Sequence, residues 1–171
     1  MRSDPDAWLH DVQRKVVYDV NTFGWHVMLV LGEPDVPGWS YTIGLFTNFG
    51  HPEVAMFGLD PRVMHQVLNI VGRSVQRGDR FSDGVETRAL LEEHRCIFRA
   101  VSPIWALDLF VYARWFHGPV DFPMLQVFWP DHAGRYPWQR GFDATLAPYQ
   151  PLLFAPDPDA ACARKLVSPE A

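Results

Sequence analysis

The chain has 171 residues, 48% apolar and 20% charged, with seven tryptophans and a formal net charge of -5. That length suits one domain with a buried core, and the composition excludes global disorder. The negative balance argues against a general binder of phosphate backbones, which needs clustered Lys and Arg, so no nucleic-acid partner is expected.

No apolar run is long enough to span a bilayer, and the opening "MRSDPDAWLHD" lacks the apolar core of a signal peptide, so no membrane partner is expected. Cys96 and Cys162 belong to no CxxC or Cys/His spacing. A reducing, cytoplasmic setting follows as the expectation.

In chain order, a first helix is predicted from an Asp4 cap and Pro5, with Leu9, Val12 and Val16 at helical spacing. Asn21 and Gly24, in the segment 18–24, are expected to stop it. Residues 25–31, "WHVMLVL", read as a strand apolar on both faces, expected near the middle of a sheet. A loop over 32–38 joins it to a second strand over 39–46, most simply as an antiparallel hairpin. Tyr41, Ile43 and Leu45 point to one side of that strand, while Ser40, Thr42 and Gly44 leave a face without bulk. Such a face invites a helix, a strand or a ligand.

A turn through Gly50-His51-Pro52 leads to a third strand over 53–59. Asp60 and Pro61 open an amphipathic helix with the stripe Met64, Val67, Leu68, Val71 and Val75, closed by Gly78. Residues 79–87 read as a polar loop, 94–102 as a fourth strand, and 104–117 as a helix apolar nearly all round, ended by Gly118. A fifth strand spans 122–131, followed by a ring-rich irregular segment that packs across the fold. The expected fold is α+β: a single domain over 1–155 with about five strands, largely antiparallel or mixed, and two to three packed helices. Residues 156–171 are expected to fray or to form a short helix.

The seven histidines form no HxH or HExxH spacing, so no metal site is predicted. Nucleophile elbows and Gly-rich phosphate loops are absent too. His65 shares a polar helix face with Asn69 and Arg73, which reads as solvated. The turn explains the geometry around His51 without function and leaves the imidazole open between a structural and a proton-handling role. Trp129, Tyr136, Trp138 and Phe142, with Asp131, Arg135 and Arg140 among them, read either as a ligand wall or as a loop pinned by its rings.

Two stretches carry a resemblance. Tyr41, Thr42, Gly44 and Leu45 lead to Gly50, His51, Pro52 and Glu53. Later come Gln126, Trp129, Pro130 and Asp131, then Pro137 and Trp138, with Phe128 in the place before the tryptophan. In these motifs the chain resembles the bacterial family catalogued as domain of unknown function 4262. The resemblance implies a small bacterial cytoplasmic protein and carries no activity with it.

The functional expectation is a small-molecule or cofactor pocket built from Tyr41, Thr42, His51, Asp131, Trp138 and His26, the cofactor unnamed. In any reaction His51 would handle the proton, with Tyr41 or Thr42 orienting the ligand. The alternative is an interaction module, a homodimer or an accessory or immunity-type factor, using helix 104–117 with Leu109, Tyr112 and Phe116 on one side. The pocket requires the strand near Thr42 and the segment after Trp129 to close over the same hollow.

Overall fold

Helix α1 (Pro5–Phe23) runs through the expected break at 18–23. It ends only at Gly24, whose φ of +101° is a conformation glycine adopts without strain. A computed structural model describes residues 5–157. The Asp4 cap, Cys162 and residues 158–171 of the tail expected over 156–171 lie outside the described residues.

Strands β1 (His26–Val30) and β2 (Trp39–Ile43) form the expected antiparallel hairpin, with His26 opposite Ile43. β2 stops earlier than expected. Gly44 takes φ +111°, and 45–49, expected as strand and turn, form the short helix α2 (Leu45–Phe49). A side chain at Gly44 would meet the Val20 methyls at 2.8 and 2.9 Å, so α1 crosses close to the backbone there. Strand β3 (Glu53–Phe57) follows, then α3 (Pro61–Gln76) with the predicted cap: Asp60 Oδ1 accepts from the Arg62 amide at 2.8 Å.

Strand β4 (Glu86–Leu91) begins inside what the sequence suggests is a loop, and pairs with β5 (His94–Ala100) through a tight turn at 92–93. The expected helix over 104–117 is broken. A 3-10 turn (Pro103–Trp105) leads into α4 (Ala106–Leu109), and α5 (Val111–His117) follows after Phe110 leaves helical geometry at φ -120° and ψ 47°. The break drives the Phe110 ring fully into the core, edge-on to Tyr41. Strand β6 (Met124–Phe128) is buried at every position, and the irregular segment after it crosses the fold as expected.

The sheet order is β1-β2-β3-β6-β5-β4, with β3 and β6 parallel and the other neighbours antiparallel. This corrects the expected count. The described residues form six strands and about four helices, counting the broken α4–α5 pair as one, where about five strands and two to three helices were predicted. β1 also lies at an edge rather than the middle. It reads as apolar on both sides because α1 and α3 approach it from opposite faces.

Two cores result. Val16, Val20, Trp105, Leu109 and Phe110 pack on Tyr41, Ile43, Ala55 and Phe57 on one face. The α3 stripe packs on Val54, Met56, Phe98, Leu125 and Val127 on the other. Much of the tryptophan excess is structural. The indole N–H groups of Trp25, Trp39, Trp105 and Trp129 donate to Asn69 Oδ1 and to the carbonyls of Leu109, Ala155 and Phe57, tying distant segments together. Among the described residues no helix is long and apolar enough to cross a membrane.

Candidate functional site

The motif residues around Gly50-His51-Pro52-Glu53 form a saturated knot. The Glu53 carboxylate, fully buried, accepts from the Thr42 hydroxyl at 2.6 Å. It also accepts from the amides of Gly44, Leu45 and Phe46 at 2.7, 3.3 and 3.2 Å, and from His117 Nε2 at 3.0 Å. Thr42 Oγ1 in turn accepts from the Val54 amide at 2.9 Å. One side chain thus fastens the end of β2, the start of α2 and the end of α5. The bulk-free face of β2 is filled by the fold itself: Ser40 and Thr42 lie beside Met56 and Val54, under α3.

His51 is equally committed. Its Nδ1–H donates to the Pro52 carbonyl at 2.7 Å and its Nε2 accepts from the Phe81 amide at 3.0 Å. A carbonyl can only accept and an amide only donate, so these partners fix one neutral tautomer. Burial, the largest influence, holds the imidazole below its ordinary pKa. The Tyr41 hydroxyl accepts from the Tyr112 amide at 3.3 Å, and burial pushes its pKa well above the usual phenol value.

Asp131 and Trp138 lie elsewhere. β3 and β6 run parallel, with Glu53 opposite Met124 and Met56 opposite Val127. Thr42, His51 and Glu53 sit at the start of that pair, whereas the Trp129–Trp138 loop leaves from its far end. The hollow that the sequence reading requires therefore does not form. At the far end Asp131 organises the loop, accepting from the amides of Ala133, Arg135 and Asp143 and from Arg135 Nε. Trp138 stacks on Tyr136, meets Phe128 and Phe154 edge-on, and lies under the Arg99 guanidinium. Here the rings pin a loop.

Of the six expected site residues, His26 carries an unpaired ring nitrogen at a cleft. Its Nδ1 stands 2.6 Å from Asp19 Oδ2, and Asp19 is also held by Lys15 Nζ at 2.9 and 3.1 Å. His26 Nε2 has no partner among the described residues and is not among the buried unpaired atoms, so the cleft can reach it. That cleft, of about 570 Å³, opens at the β1 edge between α1 and α3. Lys15, Asp19 and Thr22 line it from α1, and His65, Asn69, Arg73 and Gln76 line it from α3. Its apolar wall comes from Phe23, Trp25 and Val27.

Local structure explains the arrangement. Lys15 and Asp19 are one helical turn apart, and the Gly24 turn folds His26 back onto them. Gly72 lets Trp25 lie against α3, since a methyl group there would fall 2.2 Å from the indole. The indole N–H then donates to Asn69 Oδ1 at 3.0 Å. Burial works against the Asp19 charge, but hydrogen bonds from Lys15 and His26 outweigh it and hold the carboxyl below its usual range. Burial is the largest influence on His26 and, with the charges of Lys15 and His65, holds its pKa below the ordinary value against the pull of Asp19.

Asp19 is the partner that sequence reasoning misses, because the segment 18–24 reads as a helix stop. The Lys15–Asp19 spacing was the available signal. Among the described residues no group of three or more His, Cys, Asp or Glu is arranged to hold a metal ion.

Residues 19–143 match the family model described as Domain of unknown function (DUF4262). No curated protein and no solved structure matches the chain.

Proposed function

The chain belongs to the domain of unknown function 4262 family, and we propose that it is a small-molecule-binding domain whose ligand sits in the cleft at the β1 edge. One observation carries this reading: a histidine–carboxylate pair opens onto a cleft of about 570 Å³ that has both an apolar wall and convergent polar groups. Apolar walls with a few fixed polar groups are the usual makings of a ligand site. Tyr41, Thr42 and His51 support the fold around the site rather than touching the ligand. A bacterial, cytoplasmic setting is part of the proposal. Cys96 is compatible with it, a buried thiol whose pKa burial pushes up to about 12.

Screening a metabolite and nucleotide panel by thermal shift, on the full chain and on Gln76→Trp, tests the reading. Gln76 is exposed at the cleft rim, so the larger ring should block the space without unfolding the domain. A compound that stabilises the wild type and not the variant is the expected result. Binding that Gln76→Trp leaves intact would move the site elsewhere.

A second reading, the interaction module, is favoured by a shallow groove between α1 and α5. Val17, Tyr18 and Trp115 line it, each more than a third exposed. Much of the other apolar surface on 104–117 is accounted for internally: Trp105, Leu109, Phe110 and Ala113 are buried, and Tyr112 packs partly against the same core, while Ile104 and Val111 stay exposed.

A further inference from the structure

We propose that the ligand of the β1-edge cleft is a small molecule bearing an oxyanion, a phosphate or a carboxylate, and that its binding is accompanied by uptake of a proton on His26. This rests on the cleft being the ligand site and adds the ligand's chemical class.

The argument begins with the tautomer. The Asp19 carboxylate only accepts hydrogen bonds, so the nitrogen facing it at 2.6 Å carries the proton. The neutral ring therefore presents a bare lone pair at Nε2 to the cleft. An oxyanion placed there has no proton to accept, and two lone pairs repel. Adding one proton to Nε2 turns the same position into a charged donor, and a charge-assisted hydrogen bond becomes available.

The surrounding charges favour that outcome. From α1, Asp19 and Lys15 face His26, and from α3, His65 and Arg73 face the same space. β2, the paired strand, sets Ile43 opposite. Lys15 is already committed to Asp19 by two contacts. Arg73, in contrast, forms no salt bridge or side-chain hydrogen bond among the described residues, and it projects from the exposed face of α3 into the cleft. A guanidinium without a carboxylate partner, lining the same cleft as an imidazole that can become cationic, suits an oxyanion. Asp19 then serves a second purpose, offsetting the imidazolium charge once the proton arrives.

The resting state is neutral because burial disfavours the imidazolium. A bound anion supplies the missing counter-charge, so protonation and anion binding assist each other. By linkage, binding must then strengthen as pH falls toward the ordinary histidine range.

Sulfate is the cleanest probe, because it does not titrate near neutrality and any proton taken up belongs to the protein. Titration of the full chain with sodium sulfate, followed by imidazole and amide NMR shifts, is run at about pH 8 and about pH 6. Pyrophosphate and citrate are titrated alongside to separate phosphate from carboxylate preference. The expected result is saturable shifts at Trp25, His26 and Arg73, with affinity rising by up to about tenfold per pH unit. His26→Gln should bind sulfate with little pH dependence, and Arg73→Gln should weaken binding at both pH values. Saturable binding with equal affinity at both pH values would overturn the proton uptake. Failure of all three anions, while a neutral compound binds wild type and not Gln76→Trp, would overturn the anion class and leave the ligand cleft standing. Failure of every ligand would remove both.

Discussion

The pairs His117–Glu53 and His26–Asp19 combine the same two functional groups at 3.0 and 2.6 Å, in different surroundings. In the first, the side chains are 3% and 0% exposed and the carboxylate takes further hydrogen bonds from one hydroxyl and three amides. In the second, they are 11% and 13% exposed, and one imidazole nitrogen faces a cleft unpaired. The composition of a site does not distinguish structure from function here; the remaining hydrogen-bonding capacity does. A group whose partners are all supplied by its own fold has nothing left to offer a ligand.

Removing Glu53 should have the largest effect. Glu53→Ala leaves three amides, a hydroxyl and a buried imidazole without their acceptor. Breaking a buried pair this way costs about 3–5 kcal/mol. That is comparable to the whole stability of a marginal domain, about 5–15 kcal/mol. Urea unfolding of this variant should therefore show a greatly lowered midpoint or no folded baseline. Glu53→Gln, which keeps one acceptor oxygen, should fall between it and the wild type. A loss under about 1 kcal/mol for Glu53→Ala would mean that the knot does not hold the sheet end together.

An intermediate effect is expected from pH. His51 and His26 are both held below the ordinary histidine value in the folded chain, chiefly by burial. As pH falls through about 6.5, the unfolded chain binds protons that the folded chain does not. Stability is thus complete above that pH and is lost progressively below it. The two histidines should contribute unequally. His51 is wholly buried with both nitrogens occupied, so its protonation breaks the bond from the Phe81 amide. His26 can take its proton on the side facing the cleft. Urea midpoints from about pH 8 to about pH 5 should consequently flatten more in His51→Asn than in His26→Gln. The reverse order would mean that His51 reaches solvent and His26 does not.

The sequence disclosed the parts of the fold whose signals are local. α3 follows from the Asp60 cap, Pro61 and a five-residue apolar stripe, and the β1–β2 hairpin follows from two apolar runs and a short loop. β4 escaped because it is an exposed edge strand in which only Leu90 is buried, so no alternation marks it. The break at Phe110 escaped because no Pro or Gly stands there; a ring pulled into the core sets it. The role of Glu53 was out of reach for another reason, since most of its partners are backbone amides that carry no side-chain signature. As for the cleft, its pieces were visible separately. His65, Asn69 and Arg73 read correctly as one polar face of α3, but only the edge position of β1 turns that face toward His26.

The smallest effect on stability, and the sharpest test of the contrast, is expected from Asp19→Asn. Asparagine keeps a carbonyl oxygen that can accept from Lys15 and from His26, so the fold should lose about 1 kcal/mol or less. The imidazole should respond far more than the fold. Asp19 is what raises the His26 pKa against burial, and without its charge the titration midpoint must move further down. The amide can also turn its NH₂ toward Nδ1, which would place the ring proton on Nε2 instead. Imidazole nitrogen shifts report both changes directly, because the two neutral tautomers differ at each nitrogen. A midpoint and tautomer unchanged by the substitution would show that Asp19 does not set the state of His26, and the two histidine–carboxylate pairs would then differ in exposure alone.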